Sequence, residues 1–170
     1  GGGLPTPDGR IQMYPCYSFE AHVVLVEIDA LTGQPRLTRY VCGHDCGTMI
    51  SPDIVHGMTY GGIAHGIGAA LYEKFAFSDN GQLASQTFMD YLMPSSMEVP
   101  HVDIVDHCTP SPLTEFGQKG SGEAGYLGAP AAIANAINDA LAPIGAAIDE
   151  LPMTPMAIWT KMQAAAPIKS

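Results

Sequence analysis

Residues 119–141 read KGSGEAGYLGAPAAIANAINDAL, and the two halves of this stretch follow different rules. The first half is punctuated by glycine around one carboxylate, Glu123. The second half, APAAIANAINDAL, is rich in alanine and opens with a proline, which a helix tolerates in its first turn. A helix is therefore predicted over residues 129–141. The glycine-rich half extends upstream to residue 109, through TPSPLTEFGQ, with no helical or strand pattern. A loop of that length is uncommon inside a compact domain unless it serves a site. The architecture thus turns on a working loop that feeds a helix.

The remaining elements arrange themselves around that pair. Residues 19–29, FEAHVVLVEID, alternate and are rich in valine. Leu31-Thr32-Gly33-Gln34 supplies a turn, and PRLTRYVCGHDC follows as a second extended run, which predicts a β-hairpin. PDIVHGMTYGGIAHGIGAALYEK begins a helix at Pro52, with Ser51 as its expected cap. Gly57 and Gly61, then Gly62 and Gly66, are each four apart. Five glycines cost an exposed helix roughly 1 kcal/mol each relative to alanine. The pattern suits close approach by another backbone or by a cofactor, and equally a glycine-softened core helix. Residues 75–83 carry Asn80-Gly81, a hairpin-turn dipeptide. MDYLMPSSMEVP is irregular, HVDIVDHC extended, and residues 154–165 form a last helix capped by Thr154 with Pro155 in its first turn. Residues 1–15, rich in Gly and Pro, read as an arm, with the domain over residues 16–170. No internal repeat is present.

Composition sets the outer limits. The chain has 170 residues and 46% hydrophobic content, which predicts one globular domain. Only 14% of residues are charged, too few to wet the surface of a free-standing domain, so a partner is expected to cover much of it. The formal net charge of −10 argues against nucleic acid and anionic membranes, which select clustered basic residues. Cys16, Cys42, Cys46 and Cys108 form no C-x-x-C pair and read as reduced thiols of a cytoplasmic protein. The N-terminal residues show no secretory pattern, and the longest stretch free of Asp, Glu, Lys and Arg, residues 54–72, is too glycine-rich for a membrane span.

Several candidate chemistries are weak on the residues alone. Cys42, His44 and Cys46 alternate on one strand face, but zinc sites usually want a second close pair, and a half-buried strand is the better reading. In Gly117-Gln118-Lys119-Gly120-Ser121 the lysine precedes the second glycine, so the phosphate-loop order fails. Gly66-Ile67-Gly68 is too short for a dinucleotide fingerprint. Glu123 is left. Glycines on both sides would let backbone N–H groups crowd around an anionic ligand. A carboxylate shielded there by apolar neighbours would suit proton abstraction. Without further information a surface-loop glutamate is the better reading.

The order of motifs changes that reading. YVCGHDCGTMISPDIVHGMTYGGIAHGIGAALYEKFAFSDNGQ, MDYLMPSSMEVP, TPSP, KGSGEAGYLGAPAAIANAINDAL and LPMTPMAIW together resemble the C-terminal part of the molybdenum hydroxylase large subunit. That family comprises xanthine dehydrogenases, aldehyde oxidoreductases and aerobic carbon monoxide dehydrogenases. The resemblance covers residues 17–165, and K-G-x-G-E followed by G-x-P-x-A-I-x-N-A-I-x-D-A-L is its most specific motif. It implies an α+β fold: the C-terminal portion of the molybdopterin-binding domain, with a β-hairpin, helices and a long active-site loop.

It also implies a molybdenum–pyranopterin cofactor, in bacteria often the cytosine dinucleotide, with [2Fe–2S] clusters and FAD on partner subunits. Glu123 then occupies the position of the active-site base for inserting a water-derived oxygen into a small organic substrate. Lys119, Gly120, Ser121 and Gly122 would face the cofactor, as would the helix positions Gly57, Met58, Gly61, Gly62 and His65. Met58 stands where relatives frequently carry a glutamine that contacts the pterin, and His65 where many carry another glutamine. Family large subunits are several times longer. The expectation is a split or excised piece of a large subunit, inactive alone. It would assemble with the rest of that subunit, an iron–sulfur subunit and an FAD subunit. A non-catalytic scaffold or cofactor-insertion partner with the same fold is the competing expectation.

Overall fold

The computed structural model describes residues 4–11, 14 and 16–165. Of the expected N-terminal arm, residues 1–3, 12, 13 and 15 lie outside the described residues. Alternating apolar positions form two long strands, β1 (Phe19–Ile28) and β2 (Pro35–Asp45), paired antiparallel as the hairpin pattern predicts. A third strand, β3 (Val102–Asp106), lies parallel to β2 and completes a sheet of order β1-β2-β3. The segment HVDIVDHC is thus a strand, as expected. Its parallel pairing needs the long crossover through the first helix and the irregular stretch after it.

Among the described residues three helices accompany the sheet, α1 (Pro52–Leu71), α2 (Ala129–Leu141) and α3 (Pro155–Ala164), with a 3-10 turn at Ala142–Ile144. Ile133, Ile137 and Leu141 recur every fourth residue of α2 and are fully buried against Tyr40, Cys42, Ile63, Ile67 and Val102. α2 contacts both β1 and α1, so its apolar stripe closes the core between sheet and helix. Thr154 caps α3 as predicted, its hydroxyl accepting from the Ala157 N–H at 3.2 Å. Ser51 does not cap α1 with its side chain, which corrects that expectation; only its carbonyl is used, by Val55. The Asn80-Gly81 turn forms, with Gly81 at φ +79°, but one bridge between Phe77 and Leu83 is all the strand pairing it closes.

α1 and the start of α2 meet more closely than side chains allow. A Cβ on Gly62 would lie 2.1 Å from the Ala124 carbonyl oxygen, and one on Gly66 2.5 Å from the Ala129 Cβ. Gly125, at φ +87°, presses in turn on the Thr59 carbonyl. These glycines seat the loop before α2 directly on the backbone of α1.

Candidate functional site

The loop between β3 and α2 is held at its near end by a buried ion pair. Asp45 ends β2 and accepts hydrogen bonds from the Gly47 N–H (2.8 Å), the Thr109 N–H (3.1 Å) and the Thr109 hydroxyl. Lys119 Nζ lies 3.2 Å from the same carboxylate and 5.1 Å above the Phe19 ring. Burial opposes the charge on Asp45, but the bonds from Thr109, Gly47 and Lys119 outweigh it and hold the carboxyl well below the usual carboxylate range. The Lys119 N–H bonds the Cys46 carbonyl at 2.7 Å, so backbone and side chain anchor the loop together.

A second carboxylate, Glu20 on β1, holds the far end. It accepts from the Gly125 N–H at 2.7 Å, and His44 Nδ1 and His22 Nε2 lie 2.9 and 3.3 Å away. Burial again opposes ionisation, and the bonds from His22, Gly125 and His44 overcome it, lowering the Glu20 pKa. His44 Nε2 reaches Ser121 Oγ at 3.2 Å. Glu20, His22, Ser121 and Glu123 share the lining of a cavity of about 530 Å³.

Between these anchors the loop is open. The backbone N–H groups of Gly120, Ser121, Gly122 and Glu123 donate to no described residue. A Cβ on Gly120 or Gly122 would meet nothing within 4 Å, and the same holds for Gly57 and Gly61 on α1. Glu123 itself is exposed, and its carboxylate bonds no described residue. The apolar shield expected around it does not come from this chain. Unfilled backbone at Gly120 and Gly122 and a row of free donors fit a bulky anionic group such as a pterin phosphate, which fixed N–H groups recognise.

The other expected positions divide into open and occupied. Met58 is 43% exposed, and His65, also exposed, stacks on Tyr126 with ring centroids 4.3 Å apart. Gly62 is covered by Ala124, and the Lys119 ammonium faces Asp45 and Thr109. Residue reasoning missed Glu20, His22, Asp45, Thr109 and Tyr126. A signal existed in part: Glu20 and His22 share the face of β1 that carries the inward-pointing Val24 and Val26.

The expected alternation of Cys42 and His44 falls on the buried face of β2, and no metal set forms from Cys42, His44 and Cys46 among the described residues. The groups that do converge are Glu20, His22 and Cys42. Burial and the Glu20 charge push the Cys42 thiol up to about 12, which leaves it protonated and a poor ligand. All four cysteines are unpaired. A comparable apolar depression between Leu31, Pro155, Met156 and Trp159 is lined by no titratable group.

Comparison with known proteins bears on the family and the fold. Residues 4–100 match the family described as "Molybdopterin cofactor-binding domain". The nicotine 6-hydroxylase large subunit of Paenarthrobacter nicotinovorans is 42% identical over 141 residues, 83% of this chain and 17% of that protein. The carbon monoxide dehydrogenase large chain of Hydrogenophaga pseudoflava is 33% identical over 147 residues, 86% of this chain and 18% of that protein. Quinoline 2-oxidoreductase from Pseudomonas putida 86 superposes with a TM-score of 0.83 at 46% identity, over 85% of this chain and 18% of that one. The Cu,Mo-CO dehydrogenase superposes at 0.84 and 29% identity, over 91% and 20%. The chain therefore spans less than a fifth of the length of these curated relatives. With its α+β sheet and helices and these matches along most of its length, the chain belongs to the molybdenum hydroxylase large-subunit family and is part of its molybdopterin-binding domain.

Proposed function

We propose that this chain supplies the active-site base, Glu123, and one wall of the cofactor site to a molybdenum hydroxylase or dehydrogenase that works only as an assembled complex. The molybdenum–pyranopterin cofactor, as the cytosine dinucleotide, supplies when bound the redox centre that takes two electrons from the substrate. The free N–H groups of Gly120, Ser121 and Gly122 bind acceptor atoms of that group. Gly57 and Gly61 admit it close to the backbone of α1, with Met58 and His65 at its edge. Gly62 and Lys119 hold the wall in place from behind. Glu123 takes up the proton released as a water-derived oxygen enters a small organic substrate. The rest of the large subunit excludes water around it. The complex is completed in the cytoplasm by iron–sulfur and FAD subunits, whose [2Fe–2S] clusters and flavin carry the electrons away.

One observation supports this reading most: Glu123 stands exposed and unbonded beside a row of free backbone donors, between two clamps of buried charge. The test is to purify the complex through a tag on this chain and measure molybdenum and pterin per copy. About one of each is expected. The scaffold reading, which the non-donating Met58 side chain favours, requires the metal and pterin to be absent or remote from this chain.

A further inference from the structure

The segment that carries Glu123 is tied to the sheet on both sides of that residue. Before it, Ser121 Oγ lies 3.2 Å from His44 Nε2. After it, the Gly125 N–H donates to both oxygens of Glu20, at 2.8 and 2.7 Å. The two ties converge, because His44 Nδ1 lies 2.9 Å from Glu20 Oε1. A carboxylate can only accept, so Nδ1 carries the proton and donates to Glu20. In the tautomer with its single proton on Nδ1 the ring accepts at Nε2, and the Ser121 hydroxyl donates to it. The same logic orders His22, whose Nε2 donates to Glu20 at 3.3 Å while its Nδ1 accepts from the Tyr40 hydroxyl at 2.9 Å.

Every donor in this chain of bonds therefore ends on Glu20. The His44 side chain is fully buried, so water cannot replace either of its bonds. Apart from these ties, the described bonds of the segment are weak local ones, Ala124 N–H to the Ser121 carbonyl, Tyr126 N–H to the Glu123 carbonyl and Ala129 N–H to the Tyr126 carbonyl, each at 3.3 Å. A loop with so few bonds of its own takes its conformation from this anchor and from its seat on α1. With the Ser121 hydrogen drawn inward, the hydroxyl offers lone pairs to whatever binds above it.

We propose that Glu20, acting through Gly125 on one side and His44–Ser121 on the other, is the positioning residue that aims the Glu123 carboxylate. This rests on Glu123 being the base. The test uses the assembled complex carrying Glu20→Gln, in which the amide N–H₂ must face the Gly125 N–H and one of the two histidine donors, so the Gly125 tie weakens whichever way the amide turns. Amide exchange in the peptide spanning residues 120–126 should rise about tenfold or more. Molybdenum and pterin content should stay unchanged. The kcat should fall roughly 10²-fold with little change in KM, the scale expected for misplacing a reacting group by about 1 Å. In a Glu123→Gln background, adding Glu20→Gln should cause no further loss of turnover, because both act through one carboxylate. Unchanged exchange in that peptide, or fully additive losses, would overturn the proposal. Should the Glu20→Gln complex not assemble, Glu20→Asp keeps the charge but shortens the reach, and must give the same pattern in milder form. If Glu123→Gln alone leaves turnover intact, the base assignment fails, while the exchange result still reports on the clamp.

Discussion

Asp45 and Glu20 show what individual residues contribute at this site. Both carboxyls titrate below their ordinary values of 3.8 and 4.5 in the folded chain. A depressed pKa contributes stability that is complete above the ordinary value and is lost as pH falls through the folded one. Acid unfolding of the complex should therefore begin below about pH 4.5, with exchange in the loop rising first. Thr109→Val removes the hydroxyl donor to Asp45. It should cost about 2 kcal/mol, the scale of a hydrogen bond to a charged group, and move the acid transition to higher pH. An unmoved transition would show that Lys119 and the backbone donors suffice. Met58→Gln is a substitution at an exposed position, so the fold should tolerate it and pterin content should hold or rise. A large loss of pterin would mean the site is built around methionine.

At the scale of elements, the glycines of α1 divide into two sets with opposite expected behaviour. Gly61→Ala places a methyl in open space and removes a flexible residue, which should raise the helix's stability by up to about 1 kcal/mol. The same methyl intrudes on the proposed cofactor face, so pterin content should fall even as the melting temperature rises. Gly62→Ala drives a Cβ against the Ala124 carbonyl, so it should destabilise the complex and displace the loop. Melting curves and pterin assays on the two variants separate packing from ligand approach. Much of this level was legible in the sequence. Alternation gave the β1–β2 hairpin, and the proline starts gave α1, α2 and α3. The anchoring of the loop was not legible, because Glu20 meets Gly125 and Asp45 meets Thr109 only after the chain has crossed the whole sheet. Local pattern carries no information on such pairs. The Phe77–Leu83 turn was legible as a turn, yet extended strands do not follow, since the flanking residues are exposed and bury nothing.

For the whole molecule, surface and charge tell one story. Phe88, Met89 and Met97, on the irregular stretch after α1, are 81%, 87% and 86% exposed. With 14% charged residues there is little to keep such a surface dispersed. Expressed alone, the chain should aggregate, as light scattering during size-exclusion chromatography would register. A monodisperse monomer with cooperative unfolding would contradict a docked role. Among the described residues no helix is long and apolar enough to cross a membrane, so membrane insertion by a helix does not account for that surface. Whether this piece brings the base to a cofactor held largely by other parts of the complex is decided by Glu123→Gln in the assembled enzyme. The amide keeps the side chain's shape but cannot take a proton at neutral pH. Positioned general-base catalysis is worth roughly 10²–10⁴-fold. Turnover should fall by at least that factor while molybdenum content, pterin content and melting temperature stay at native values. Near-native turnover from a fully loaded Glu123→Gln complex would place the base elsewhere, with Glu115, the other carboxylate of the loop, the next to examine.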